Sequence, residues 1–272
     1  MISDRAGVKA ALRRRFGLWP IMETRNRVLR GLPSLLRFAF EIREERRILR
    51  SWGGDRPTAM VASIVPTYCR PELLRKAVES ALAQTVTDQV VIVVDDGGGM
   101  IDLALEDPRL RVVQLSRNTG VVGVVRNIGI RLSCSQYLAF LDDDNTWIPE
   151  HLEAALAVHS EAVTLTVAAI ERVNPDGSVV DVVGHPFDAN ELRNEGTVVD
   201  SSAIVVRRGA DVHFSRIRRS RRTLPGEDWE LVYRLIKTRA HAFVPRQTVK
   251  YLVNPNSAYT DWSTDALPPT DD

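Results

Sequence analysis

The chain has 272 residues, of which 44% are hydrophobic and 26% charged, a balance that predicts a globular protein and excludes disordered and fibrous classes. Two cysteines without CxxC spacing, Cys69 and Cys134, indicate neither a disulfide framework nor a zinc site, and no apolar run reaches membrane-spanning length. The net charge of +1 conceals an asymmetry, because residues 1–57 carry 14 Lys/Arg against 6 Asp/Glu. We therefore expect a basic N-terminal arm and a mildly acidic body. The two isolated cysteines predict a reducing, cytoplasmic location.

The arm predicts two helices, at about 3–16 and 21–51, broken near Gly17 to Pro20 and followed by a linker up to residue 57. Two alternatives stay open for the second helix. An arginine-rich amphipathic helix can lie on an anionic membrane surface, or it packs its apolar side onto the rest of the chain or a second subunit. Peripheral contact with the membrane inner face, or dimerisation through residues 1–57, would follow. The apolar positions concerned are Leu29, Leu32, Leu35, Leu36, Phe38, Phe40 and Ile42.

After the arm, short apolar strands alternate with helices, which predicts an α/β fold with a mostly parallel, twisted sheet flanked by helices. A helix opens at Pro71, where proline suits the first helical position, and another covers 228–237. The segment 121–132 combines strand propensity with helical spacing, and its residues alone leave it open. A β-hairpin is expected over 162–183. The other predicted strands are 62–68, 90–94, 110–115, 137–141 and 202–206.

Three consecutive aspartates, Asp142, Asp143 and Asp144, follow a predicted buried strand. Clustered carboxylates repel one another and raise each other's pKa, and a cation relieves that repulsion. Mg²⁺ and Mn²⁺ prefer oxygen ligands and are often held by one or two carboxylates plus substrate phosphates. The triplet therefore predicts a metal-diphosphate site, and its alternative is a solvated acidic turn before the helix near Pro149.

Two further polar segments, 66–70 and 95–96, also follow predicted strands, and ligands of open α/β sheets bind outside such strand ends. The glycine-rich GxGxxG and GxxxxGK[ST] loops of other nucleotide sites are absent. A second carboxylate pair, Glu227 and Asp228, opens a late helix. It either caps that helix or provides a general base for a reacting hydroxyl.

Six motifs follow one another along the chain: Pro66-Thr67-Tyr68 with Arg70, Val93-Val94-Asp95-Asp96-Gly97, Asn118-x-Gly120, Arg126-Asn127-x-Gly129-Ile130, the aspartate triplet with Trp147 and Pro149, and Glu227-Asp228-Trp229-x-Leu231. In this order they resemble the motifs of family 2 glycosyltransferases, over roughly residues 60–260. The resemblance implies an A-type glycosyltransferase fold in one α/β domain, 58–262. Its first half, 58–150, would bind a nucleotide-diphosphate sugar, and its second, 151–262, would form the acceptor and catalytic half, with 263–272 as a flexible tail. It also implies a helix over 121–132.

Carried over by position, the resemblance implies a metal-dependent, inverting transfer of a sugar from a nucleotide-diphosphate donor, with UDP favoured, to an acceptor hydroxyl. The product would belong to cell-envelope polysaccharide, glycolipid or natural-product glycosylation. Asp144 and Asp142 would bind Mn²⁺ or Mg²⁺, and Asp228 would be the catalytic base. Glu227, Trp229 and Arg222 are candidates for acceptor or diphosphate contacts. The donor contacts would be Pro66, Thr67, Tyr68, Arg70, Asp96, Arg126, Asp142 and Asp143.

The chain departs from the family pattern at Gly98 and Met100, where a serine and an aspartate are usual, and at Asn254, where relatives often carry a histidine. These departures keep a second hypothesis open, an inactive sugar-nucleotide-binding or scaffold subunit of the same fold. A nucleotidyltransferase would need a GxGTRL-type loop after the first strand, which is absent.

Five arginines within residues 216–222 either close over a diphosphate or phosphorylated acceptor, or form a solvated loop. No nucleic-acid motif accompanies them. Trp147 and Trp229 either stack on a sugar or pack in the core.

Overall fold

The computed structural model describes residues 13–99, 101–194, 199–219 and 224–253. Its helices are α1 (Leu18–Arg30), α2 (Ser34–Ser51), α3 (Pro71–Leu82), α4 (Val122–Arg131), α5 (His151–Ala157), α6 (Ala189–Asn194) and α7 (Glu227–Leu235). Its strands are β1 (Val61–Thr67), β2 (Gln89–Asp95), β3 (Leu110–Gln114), β4 (Tyr137–Phe140), β5 (Asn145–Trp147), β6 (Val163–Val173), β7 (Val179–Val183), β8 (Ile204–Arg207) and β9 (Ala240–Leu252).

The described strands form one sheet in the order β3-β2-β1-β4-β8-β6-β9-β5, with β7 paired to β6. The first four strands are parallel, and β1 and β2 are buried along their whole length. This explains their continuous apolar sequence, since a parallel sheet is covered on both faces. The expected α/β fold is confirmed, and 121–132 is the helix α4 that the resemblance implies.

The second half of the sheet is mixed. Strand β8 runs antiparallel to both β4 and β6, whereas β6 and β9 are parallel, and the predicted hairpin is β6–β7. The sequence reading missed β9, whose alternation is interrupted by Pro245 and the polar residues after it, and β5, which pairs with β9. Because β1, β2 and β4 are parallel, the chain segments that follow them emerge at the same edge of the sheet.

The arm contains two helices where the sequence predicted one over 21–51. Helix α1 ends at Gly31, whose N–H donates to the Arg27 carbonyl at 2.9 Å, and Pro33 precedes α2 because proline is tolerated at a helix start. The predicted break near Gly17 is present as well, after helical residues 13–16. The remainder of the predicted 3–16 helix and the 263–272 tail lie outside the described residues.

Helix α2 packs against α4 through Phe40, Glu41, Glu44 and Ile48, which are buried. Leu29, Leu32, Leu35 and Leu36 are exposed, whereas Leu18 is half-buried and Leu49 packs against the core. Packing onto the rest of the chain is therefore confirmed for Phe40 and is wrong for these four leucines, whereas packing onto a second subunit stays a prediction. No described helix is long and apolar enough to cross a membrane.

Candidate active site

The aspartate triplet lies directly beyond β4 and is bound by Thr67, the last residue of β1, and by Arg70, which follows it. Thr67 Oγ1 donates to Asp143 Oδ2 at 2.7 Å. The Arg70 guanidinium bridges Asp143 and Asp144, with Nη1 at 3.1 Å and 3.0 Å from their oxygens. Thr67 and Arg70 were expected to contact the donor nucleotide. In the structure both bind the aspartate triplet.

A buried arginine joins the triplet to the late helix. Arg126, on α4, directs one terminal nitrogen at Asp142 and the other at Glu227 Oε1, which is 3.0 Å away. The Arg126 guanidinium group stacks over the ring of Phe214, with its Cζ atom 4.9 Å from the ring centroid. The structure therefore joins Asp142 to the start of α7 through Arg126, although the two lie far apart in the sequence.

Asp200 is a residue of this cluster that the sequence reading missed. It is buried, accepts a hydrogen bond from Ser202 N at 2.7 Å, and begins a short 3₁₀ turn over Ser201–Ala203. Ser201 Oγ contacts both oxygens of Asp142. The sequence Asp200-Ser201-Ser202 before a strand could have indicated this turn, because aspartate is a preferred residue at the start of a helical turn.

Asp228 occupies the first turn of α7, where its Oδ1 accepts a hydrogen bond from Trp229 N at 2.7 Å. Burial, and then the charges of Glu227 and Asp200, raise the pKa of Asp228 well above its usual value. Arg126 opposes this shift. A carboxyl group with a raised pKa in a cleft, next to a cation, is suited to proton transfer near neutral pH.

The cluster carries more negative than positive charge. Burial, and then the charges of Asp142 and Asp143, raise the pKa of Asp144 to about 6. Burial and the charge of Asp142 raise the pKa of Asp200 to about 7. The two arginines in contact with these acids are Arg70 and Arg126. The acids are Asp142, Asp143, Asp144, Asp200, Glu227 and Asp228.

Asp96 lies at the end of β2 and organises the loop that precedes α4. Its two oxygens accept the N–H groups of Thr119 and Gly120, at 2.8 Å and 3.0 Å. Gly120 has φ +60°, which explains the glycine in the Asn118-x-Gly120 motif. Binding of Asp96 to a nucleotide base stays a prediction.

The remaining predicted site residues divide into exposed and buried ones. Tyr68 is exposed beyond β1, whereas Pro66 is buried within it. Trp147 and Trp229 are buried, and their indole N–H groups donate to backbone carbonyls of Ser202 and Leu192. The packing alternative therefore describes both tryptophans better than a sugar platform. Arg222, Met100 and Asn254 lie outside the described residues.

Three arginines of the arginine-rich segment, Arg216, Arg218 and Arg219, lie within the described residues, and two of them pair with the arm. Arg216 pairs with Glu41 of α2, and Arg219 with Glu23 of α1. Arg218 is exposed and lies beside Gly120, where a Cβ would approach its Nη2 to 3.5 Å. Of the described arginines in this segment, Arg218 is the one that lies beside the loop bound by Asp96.

A divalent cation was expected at Asp142 and Asp144. No three His, Cys, Asp or Glu side chains within the described ranges are arranged as a complete metal site. A nucleotide-diphosphate metal site needs fewer protein ligands, because the substrate phosphates supply the rest. Burial and the neighbouring carboxylates raise the pKa of Asp144, which shows that the negative charges there repel one another. A bound cation would relieve this repulsion, and carboxylate oxygens are suitable ligands for it. The pair fits such a shared site.

Comparison with known families decides the assignment. The family model described as glycosyl transferase family 2 matches residues 63–214, which is more than half of the chain and includes the segments after β1, β2 and β4. The chain belongs to glycosyl transferase family 2. Of the residues in the cluster, Glu227 and Asp228 lie beyond the matched range.

Among its relatives is the putative colanic acid biosynthesis glycosyl transferase WcaA of Escherichia coli (strain K12), 32% identical over 111 residues, which are 39% of each chain. The fold is similar to S. aureus TarS 1-349 in complex with UDP-GlcNAc, with TM-score 0.56, 18% identity, and coverage of 73% of this chain and 60% of TarS. It is also similar to the mannosyltransferase PcManGT from Pyrobaculum calidifontis in complex with GDP-Man and Mn²⁺, with TM-score 0.54, 16% identity, and coverage of 83% and 68%. The alignment thus spans well under half of the E. coli relative.

Proposed function

We propose that this chain is a metal-dependent, inverting glycosyltransferase that uses a nucleotide-diphosphate sugar, with a UDP-sugar as the favoured donor. The observation that carries the proposal is the Arg126 bridge between Asp142 and Glu227. It joins the donor-side aspartates to the helix that carries Asp228. A solvated acidic turn would not need a buried arginine that joins it to a second pair of carboxylates.

Two halves of one domain share the work in this proposal. Residues 58–150 bind the donor through Tyr68, Asp96 and the aspartate triplet, and 151–262 present the acceptor to Asp228. Arg70 and Thr67 hold the triplet in position, and Arg126 fixes the distance between donor side and base. A UDP-sugar is favoured because the similar TarS structure contains UDP-GlcNAc.

The chemistry of Asp228 follows from its environment. Its raised pKa makes Asp228 a stronger base than an ordinary aspartate, so it accepts the proton of the acceptor hydroxyl as that oxygen attacks the anomeric carbon. The nucleoside diphosphate leaves with the bonding electrons, and a single displacement inverts the anomeric centre. The excess of carboxylates over arginines disfavours the departing anion unless a cation is bound. When bound by Asp142 and Asp144, Mn²⁺ or Mg²⁺ supplies that positive charge.

The proposal is tested by incubating the full chain with a panel of UDP-, GDP- and dTDP-sugars and measuring nucleoside diphosphate release with Mn²⁺, with Mg²⁺ and with EDTA. Release of one diphosphate in the presence of a metal, abolished by EDTA, is expected. The control variant Asp181→Asn changes a carboxylate of β7 outside the cluster and should keep full release.

Metal-dependent donor binding by calorimetry without turnover, for every donor and with simple sugar acceptors, would support the scaffold subunit instead. Release that EDTA does not affect would contradict the metal requirement and leave the transferase assignment in place.

A further inference from the structure

The end of the helical arm presents a continuous apolar surface that the described protein does not cover. The five most exposed large hydrophobic side chains in the described residues all lie between residues 28 and 36, with exposed fractions of 67–88%. We call them the leucine tip. They occupy the last turn of α1, the connection and the first turn of α2: Val28, Leu29, Leu32, Leu35 and Leu36.

The charges around the leucine tip have one sign. Between Leu18 and Ser51, every exposed charged side chain is an arginine. Those without an ion pair or hydrogen bond to other described residues continue along the outer sides of the two helices. They are Arg25, Arg30, Arg43, Arg46 and Arg50.

The acidic residues of the same helices face inward and form ion pairs or hydrogen bonds with the body of the chain. Glu23 pairs with Arg219, and Glu41 with Arg216. Glu44 accepts hydrogen bonds from Ser116 N and Oγ at 2.9 Å and 2.8 Å. Burying the glutamates leaves an outer surface made of leucine and arginine, which is the composition that binds an anionic lipid interface.

We propose that the leucine tip inserts into an anionic phospholipid surface while the surrounding arginines contact the lipid headgroups. A second copy of this chain is a poorer occupant. A symmetric contact would place the same arginines opposite one another, and such like-charge contacts disfavour association. A bilayer supplies both an apolar layer for the leucines and negative headgroups for the arginines.

The arm also connects this surface to the candidate catalytic helix. Asn26 Nδ2 donates to the Leu224 carbonyl at 2.9 Å, and Arg27 Nη2 lies 2.6 Å from Glu230 Oε1 on α7. The segment that contains Asp228 is thus attached to the inner side of the same helix α1 whose end would enter the lipid. Docking of the arm would hold the acceptor side of the cleft at the membrane. This surface requires no catalytic activity, so it stands independently of the proposed function.

The test is co-sedimentation of the full chain with vesicles of phosphatidylcholine alone and of phosphatidylcholine with phosphatidylglycerol. Binding to the anionic vesicles is expected, with little binding to the neutral ones, and with weakening in 0.5 M salt as the charges are screened. Substituting Leu29→Ser, Leu32→Ser and Leu36→Ser together should lower the affinity at least about tenfold, because the inserted apolar area is lost. The matched control is Val179→Ser with Val180→Ser, two exposed valines of β7, and it should bind as the wild type does.

The arginine contribution is tested separately with Arg25→Gln, Arg46→Gln and Arg50→Gln, for which a loss of about fivefold each on anionic vesicles is expected. All these positions are exposed, and unchanged thermal melting confirms that the variants fold. Absence of binding to anionic vesicles, or equal binding by the leucine variant, would overturn the proposal. A dimer seen by light scattering that the leucine variant loses, without vesicle binding, would assign the surface to a second copy.

Discussion

Buried carboxylates occur in two regions of this protein, and the two differ in how their charge is compensated. Where the arm meets the body, each buried glutamate is met by arginines or hydrogen-bond donors, as Glu41 is by Arg216, Arg131 and Asn127. In the cleft, six acids share Arg70 and Arg126. One region has its charge balanced, and the other keeps an excess of negative charge.

The pKa values follow this difference. Burial alone would raise the pKa of Glu44, yet hydrogen bonds from Arg47 and Ser116 outweigh it and the pKa is lowered. Asp144 and Asp200, with fewer donors, have pKa values raised to about 6 and about 7. Balanced acids hold the fold together, whereas the unbalanced ones are costly to the fold and indicate a site that binds a cation and moves a proton.

The largest effect is expected for Asp228→Asn, which keeps the shape of the side chain but removes the base. Transfer should fall by about 10²–10⁴-fold, the usual contribution of a general base. Donor binding measured by calorimetry should stay unchanged, because the donor side of the cleft is intact. Undiminished transfer would remove Asp228 from this role.

In the balanced region, Glu41→Gln should destabilise the fold. The substitution leaves Arg216 and Arg131 facing a neutral amide, and breaking a buried ion pair costs about 3–5 kcal/mol. A lower melting temperature, by roughly 6 °C or more, is the expected result of thermal unfolding. Glu79→Gln, which removes an exposed pair with Arg75, is the matched control and should cost less than about 1 kcal/mol.

In the unbalanced region, Asp200→Asn should act in the opposite direction. Because folding raises the pKa of Asp200 to about 7, its stabilising contribution is complete below pH 4 and is lost as the pH rises through 7. Asparagine removes the ionised form and still accepts the hydrogen bond from Ser202 N. At pH 8 the variant should be more stable by up to about 4 kcal/mol, and at pH 4 the two should melt together. Equal melting at pH 8 would show that the cleft tolerates this charge.

The smallest effect is expected for metal binding without substrate. Mn²⁺ should raise the melting temperature at pH 7.5 by a few degrees, as binding to the folded state stabilises it. The shift should be smaller at pH 5, since Asp144 becomes protonated below about 6. Asp144→Asn should lose the shift, and Asp181→Asn should keep it. An equal shift in both variants would place the cation elsewhere.

The cleft was more predictable from sequence than the arm, for a physical reason. Continuous apolar strands fix a parallel sheet, and a parallel sheet brings the segments after β1, β2 and β4 to one edge, so the positions of Arg70, Asp96 and Asp144 followed from local patterns. Asp200 did not follow, because its partner Asp142 lies far away in sequence. The buried face of the arm was predicted wrongly because its leucines form the stronger apolar pattern. Its glutamates are buried in their place, since Arg216 and Arg219 neutralise Glu41 and Glu23.

The central claim is that uncompensated charge separates the candidate active site from the structural ion pairs. It is tested most directly by following side-chain carboxyl carbons by NMR as a function of pH in the metal-free protein. Asp144 and Asp200 should titrate near 6 and 7, and Glu44 below the ordinary glutamate range. Titration of Asp144 and Asp200 near 4 would contradict the account.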